Sequence, residues 1–70
     1  MDENERSELI RKLFYVLTAR LEDAAAIAAE GQGPALGNEL LVAHANCIHS
    51  VSREVAIIAQ AVTMLLCDDC

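Results

Sequence analysis

The chain has 70 residues, of which 54% are hydrophobic, yet Phe14 and Tyr15 are its only aromatics and twelve residues are alanine. A single small domain is the most that this length supports, and an aliphatic, alanine-rich composition suits close-packed helices rather than a sheet. The balance of 5 basic to 11 acidic residues, net −6, with Arg6, Arg11, Lys12, Arg20 and Arg53 scattered, provides no basic stripe for a nucleic-acid backbone.

The first element predicted is an amphipathic helix over residues 4–30. Ile10, Phe14, Leu17, Leu21, Ala24 and Ala28 recur at alternating spacings of four and three, the period of a coiled-coil seam, and Leu13, Val16 and Ile27 widen the stripe. Asp2 or Asn4 can cap its start, with Glu5 three residues beyond Asp2 in capping-box spacing, and Gly31 is placed to close its end. The acidic opening MDENERSE has neither the basic start nor the apolar stretch of a signal peptide, so a reducing cytoplasm is the expected setting.

The turn is expected at 31–38, where all three glycines and the only proline fall together as Gly31, Gly33, Pro34 and Gly37. Gly31-Gln32-Gly33 is no phosphate loop, because it has neither a preceding strand nor a following lysine. A second helix is expected over residues 38–67 with Asn38 as its cap. Leu41, His44, Ile48, Val51, Val55, Ile58, Val62 and Leu65 keep the three-four spacing without a break. The two helices match in length, so the fold class expected is all-α: one domain, 1–70, folded as an antiparallel two-helix hairpin. Its core is Ile10, Phe14, Leu17 and Leu21 against that eight-residue series.

The second helix carries more apolar surface than one partner helix can cover. Of residues 40–67, 19 are apolar and only Arg53 and Glu54 are charged. With Leu41 at heptad position a, only Asn46, Arg53 and Gln60 form a polar line, at f. One flank (g and c) reads Leu40, Ala43, Cys47, Ser50, Glu54, Ile57, Ala61, Met64. The other (b and e) reads Val42, Ala45, His49, Ser52, Ala56, Ala59, Thr63, Leu66. A helix apolar most of the way round is a buried helix. Each large side chain left wet forgoes about 1.5–3 kcal/mol, against about 3–5 kcal/mol of net stability for so small a core. Association with further helices follows, in a larger bundle or on a partner. The partner-binding residues expected are Leu40, Ala43, Cys47, Ser50, Ile57, Ala61 and Met64, with the b/e flank as competitor.

Candidate chemistry is thin. Cys67-Asp68-Asp69-Cys70 has C-x-x-C spacing, but His44, Cys47 and His49 lie too far back along the same helix to complete a zinc site with it. Two aspartates at a helix C-terminus also oppose thiolate formation. His44 and Cys47 are one turn apart while His49 is rotated away, so no three of these face one ion. His44 is expected to be a half-buried seam histidine bonded to a backbone carbonyl or a polar partner, and Cys47 a small core residue. The neighbouring acids Glu22 and Asp23 diverge by about 100° on a helix, which gives no acid–base pair. The expectation is a non-enzyme with no metal and no cofactor. The longest uncharged run, Val55 to Cys67, is too short to span a membrane.

Ala28-Ala29-Glu30-Gly31-Gln32-Gly33-Pro34, leading into the apolar run from Leu40 to Leu66 in an acidic, tryptophan-free chain of this size, resembles the small co-chaperone subunits of type III secretion systems. The resemblance implies a cytoplasmic bacterial protein that packs a hairpin face on a helical-repeat (tetratricopeptide-like) chaperone, in a complex holding the needle subunit as monomeric cargo. The alternative is a self-associating homo-oligomeric four-helix module with a regulatory or scaffolding role.

Overall fold

A computed structural model describes residues 2–67. It is an all-α hairpin of two helices of equal length, α1 (Glu3–Gly31) and α2 (Asn38–Leu66), packed against each other. The ends follow the expected boundaries within one residue.

Local chemistry explains each end. Asp2, with extended backbone, is the N-cap of α1, and its carboxylate accepts from the Glu5 backbone N–H at 2.8 Å. At the other end Gly31 is the last helical residue rather than a left-handed terminator, since no glycine has a positive φ. Gln32 and Gly33 instead tighten the final turn by donating to the Ala29 and Glu30 carbonyls at 3.2 and 3.1 Å. Pro34, lacking an N–H, follows the last of these bonds. Asn38 is likewise not the cap of α2. Gly37 holds that position with extended backbone and offers no side chain to the exposed amides.

The rod measures 52 × 20 × 12 Å, and its radius of gyration is 16.1 Å, where a compact chain of this length has about 11 Å. Its seam is narrow. Among the described residues only Leu17, 8% exposed, and Val62, 6% exposed, are buried. Ile48, Val51, Val55, Ile58 and Leu65 are half-buried along α2 as expected, while Leu41 lies at the exposed edge.

On α1 the buried line is rotated from the expected one. Ile10, Leu13, Leu17, Ala24 and Ile27 face α2, whereas Phe14 and Leu21, expected in the core, are 54% and 53% exposed. Both lines share residues 10, 17 and 24 and differ in which neighbours accompany them. The observed rotation brings Arg20 and Glu30 within reach of α2. Arg20 Nε lies 3.3 Å from Glu54 Oε2, and Glu30 Oε2 lies 3.0 Å from His44 Nε2.

Candidate protein-binding faces

Among the described residues the features of functional interest lie along the seam and on its two long sides. Near the turn, the His44 ring is clamped between two acceptors. Nδ1 is 2.8 Å from the Leu40 carbonyl one turn back, and Nε2 is 3.0 Å from the Glu30 carboxylate on the opposite helix. A neutral imidazole carries one N–H and can make only one of these bonds, so the geometry favours the doubly protonated ring. The His44 pKa is accordingly raised above 6.5, first by the Leu40 carbonyl and then by the Glu30 hydrogen bond, with partial desolvation opposing.

The first side carries the expected partner residues. Leu40, Ala43, Cys47, Ser50, Ile57 and Met64 are exposed along one flank of α2, and Ala61 is half-buried beside the seam. Cys47 is a free, exposed thiol and not a core residue. Facing this flank across the seam is the α1 line of Asp23, Ala26 and Glu30. Asp23 and Ala26 meet Asn46, Cys47 and Ser50 in one open groove, and Glu30 meets Leu40 and Ala43 in a second. The small side chains of Ala26, Ala43, Cys47 and Ser50 make the grooves, and Leu40, Ile57 and Met64 stand up at their margins. Asp23, Glu30 and the Arg20–Glu54 pair make this side apolar with defined charges.

The second side is built from residues that periodicity misassigned or ranked second. The rotation of α1 turns Phe14, Thr18, Leu21, Ala25 and Ala28 toward the flank of Val42, Ala45, His49, Ser52, Ala56, Ala59, Thr63 and Leu66, all of it exposed. Its two threonines are already satisfied: Thr18 Oγ1 donates to the Phe14 carbonyl at 3.0 Å and Thr63 Oγ1 to the Ala59 carbonyl at 3.2 Å. Their methyls therefore remain as the outward chemistry. A signal for this side was present in the sequence. Two interleaved three-four series run through α1, and only one of them can face α2.

Among the described residues no group of three or more His, Cys, Asp or Glu side chains is placed to hold a metal ion. His44 and Cys47 share the first side while His49 lies on the second. Of the C-x-x-C tail, Asp68, Asp69 and Cys70 lie outside the described residues. No helix among the described residues is long and apolar enough to cross a membrane. No protein-family model, curated protein or solved structure matches the chain.

Proposed function

We infer that this chain is a non-enzymatic adaptor that binds another protein through an exposed helix face. The observation that carries this reading is the unfinished state of the hairpin. It exposes 5491 Å², whereas a compact protein of its mass exposes about 4,300 Å². The surplus of roughly 1,200 Å² exceeds the ~800 Å² that one partner contributes to a standard interface. The grooved side of Leu40, Cys47, Ile57 and Met64 suits a foreign partner. Its small residues admit ridges from other helices, and its fixed charges supply selectivity.

In its sharpest form the adaptor is a co-chaperone in the bacterial cytoplasm. It stabilises a helical-repeat chaperone that keeps a type III secretion needle subunit from polymerising. This rests on the resemblance of the sequence together with the two-helix form. Co-expression with such a chaperone from the same genome tests it. The expected result is a stoichiometric complex in which the chaperone resists proteolysis, lost with Ile57→Asp or Met64→Asp. A chaperone that is equally stable and equally able to retain its needle subunit without this chain overturns it.

A further inference from the structure

We propose that the second side of the hairpin, centred on Leu21, is the dimerisation face for a second copy of this chain, giving an antiparallel four-helix bundle. Three observations converge on a second copy rather than a different protein.

The first is charge. The molecule carries net −6, so two copies repel wherever their acids meet. None of the acidic residues among the described ones lies within this side. Asp23, Glu30 and Glu54 border the grooved side, Glu22 and Glu39 are exposed at the outer margin of this one, a turn from Thr18 and Val42 respectively, and the remainder cluster in the first turns of α1. Among the described residues the only full charge within this side is Arg11, near its end. Among the described residues it is thus the broad surface with the fewest carboxylates for two copies to set against each other.

The second is shape. Along the rod two of the largest apolar side chains lie toward one end, although Val42, 59% exposed, stands at the turn end and Ala56 and Ala59 lie in the half of α2 nearer Leu66. Phe14 and Leu66 stand at the end carrying the α1 N-terminus and the α2 C-terminus. Ala25, Ala28 and Ala45 occupy the turn end, and Leu21 stands between. A two-fold axis perpendicular to the rod lays the bulky end of one copy on the alanine end of the other, twice over. Such self-complementarity is what an isologous interface requires. A parallel arrangement sets Phe14 on Phe14 and leaves the alanines facing each other across a void. In the antiparallel dimer Leu21 lies close to the axis, facing its own copy.

The third is area. A face of a rod 52 Å long and 20 Å wide offers on the order of 1,000 Å², enough for a standard interface. With Thr18 and Thr63 bonded to their own backbone, burying this side leaves neither hydroxyl without a partner. Two hairpins joined there form a four-helix bundle with both grooved sides outward. The proposal therefore extends the adaptor reading without depending on it.

Sedimentation equilibrium of the full chain is the test. The wild type is expected at twice the 7.6 kDa of one chain. Leu21→Glu and Leu21→Lys, each carrying like charges across the axis, are expected at the monomer mass. An equimolar mixture of the two is expected to recover both the dimer mass and any helicity the single variants lose, so the test holds even where either variant folds poorly. Ile57→Asp, on the grooved side, is expected to remain dimeric while losing the foreign partner, which separates failure of this proposal from failure of the adaptor reading. A monomeric wild type, dimerisation indifferent to Leu21 or abolished by Ile57→Asp, or a mixture that stays monomeric overturns the proposal.

Discussion

His44 on α2 and Glu30 on α1 form a cross-helix pair at 3.0 Å beside the turn, and the same histidine is bonded to its own helix at Leu40. Moving back along α1 from Glu30 to Arg20 and forward by the same number of residues along α2 reaches the Arg20–Glu54 pair, so the two helices run antiparallel without a slip in register. Of the two pairs, Arg20–Glu54 is about half exposed at both ends and contributes little to stability. His44 is the more consequential because both of its contacts favour the charged ring and raise its pKa above the ordinary histidine value.

The folded-state pKa of His44 is raised above 6.5 by the Leu40 carbonyl and the Glu30 carboxylate. The stability this contributes is fully present below the unfolded value and is lost as pH rises through the folded one. Urea denaturation followed from about pH 5.5 to about pH 8.5 is expected to show the midpoint falling over the upper part of that range. His44→Gln and Glu30→Gln are each expected to flatten the dependence. His49→Gln is expected to leave it intact, because His49 lies on the opposite side and away from Glu30. A slope unchanged in both His44→Gln and Glu30→Gln would assign the effect to other groups.

The rotation of α1 makes a distinction that composition does not. Leu17, nearly enclosed, and Phe14, 54% exposed, are both large apolar residues on one stripe of sequence. In a Leu21→Glu background, expected on the dimer proposal to isolate the hairpin, Leu17→Ala is expected to cost about 2–3 kcal/mol, most of the stability that so small a core supplies. Phe14→Ala in the same background is expected to cost under about 1 kcal/mol, since little of the ring is buried within the hairpin. Thermal unfolding followed by circular dichroism reads both. Equal losses would return Phe14 to the seam.

Much of the architecture was legible because the punctuation is concentrated. Gly31, Gly33, Pro34 and Gly37 admit one turn, and the α2 series from Leu41 to Leu65 has no competing phase, since polar Asn46, Arg53 and Gln60 mark its far side. On α1 the phase was ambiguous, because apolar residues sit side by side at 13–14, 16–17 and 27–28. The series through Leu13 and Ile27 also includes Arg20, whose charge makes it the poorer choice by periodicity. That charge is tolerated because the long side chain reaches out of the seam to Glu54. The cost of this rotation is the exposure of Phe14 and Leu21, a consequence visible only once the two helices are placed together.

Cap chemistry was misread at both sides of the turn, and it gives a stabilising prediction. Asn38, a good capping residue, begins the helix proper, and the cap position is Gly37, which has φ −78 and ψ 165 and open space where a Cβ would stand. Gly37→Ser is therefore expected to raise stability by about 0.5–1 kcal/mol, through a side-chain acceptor for the first-turn amides and a stiffer unfolded chain. Gly31 is helical with equally open space, so Gly31→Ala is expected to add a similar amount. A raised melting temperature in the double variant, with oligomeric mass unchanged, checks both. A fall in Gly31→Ala would mean that the close of α1 depends on the flexibility of glycine there.

Adjacent isoleucines separate folding from assembly. Ile58 is half-buried in the seam and Ile57, 64% exposed, is on the grooved flank, although the two differ by one residue in sequence and not at all in chemistry. Ile58→Asp forces a carboxylate against α1, where neither water nor a cation can compensate it fully. The expected loss is comparable to the ~3–5 kcal/mol the hairpin holds, so its helical circular dichroism signal collapses. Ile57→Asp leaves its carboxylate in water and is expected to keep that signal within experimental error. It is expected to remove an apolar contact at the margin of the grooves and, on the adaptor reading, to weaken binding of a foreign helical partner. Equal loss of helicity in the two variants would mean that the flank and the seam have been exchanged, and that α2 presents a different side to α1 from the one placing His44 beside Glu30.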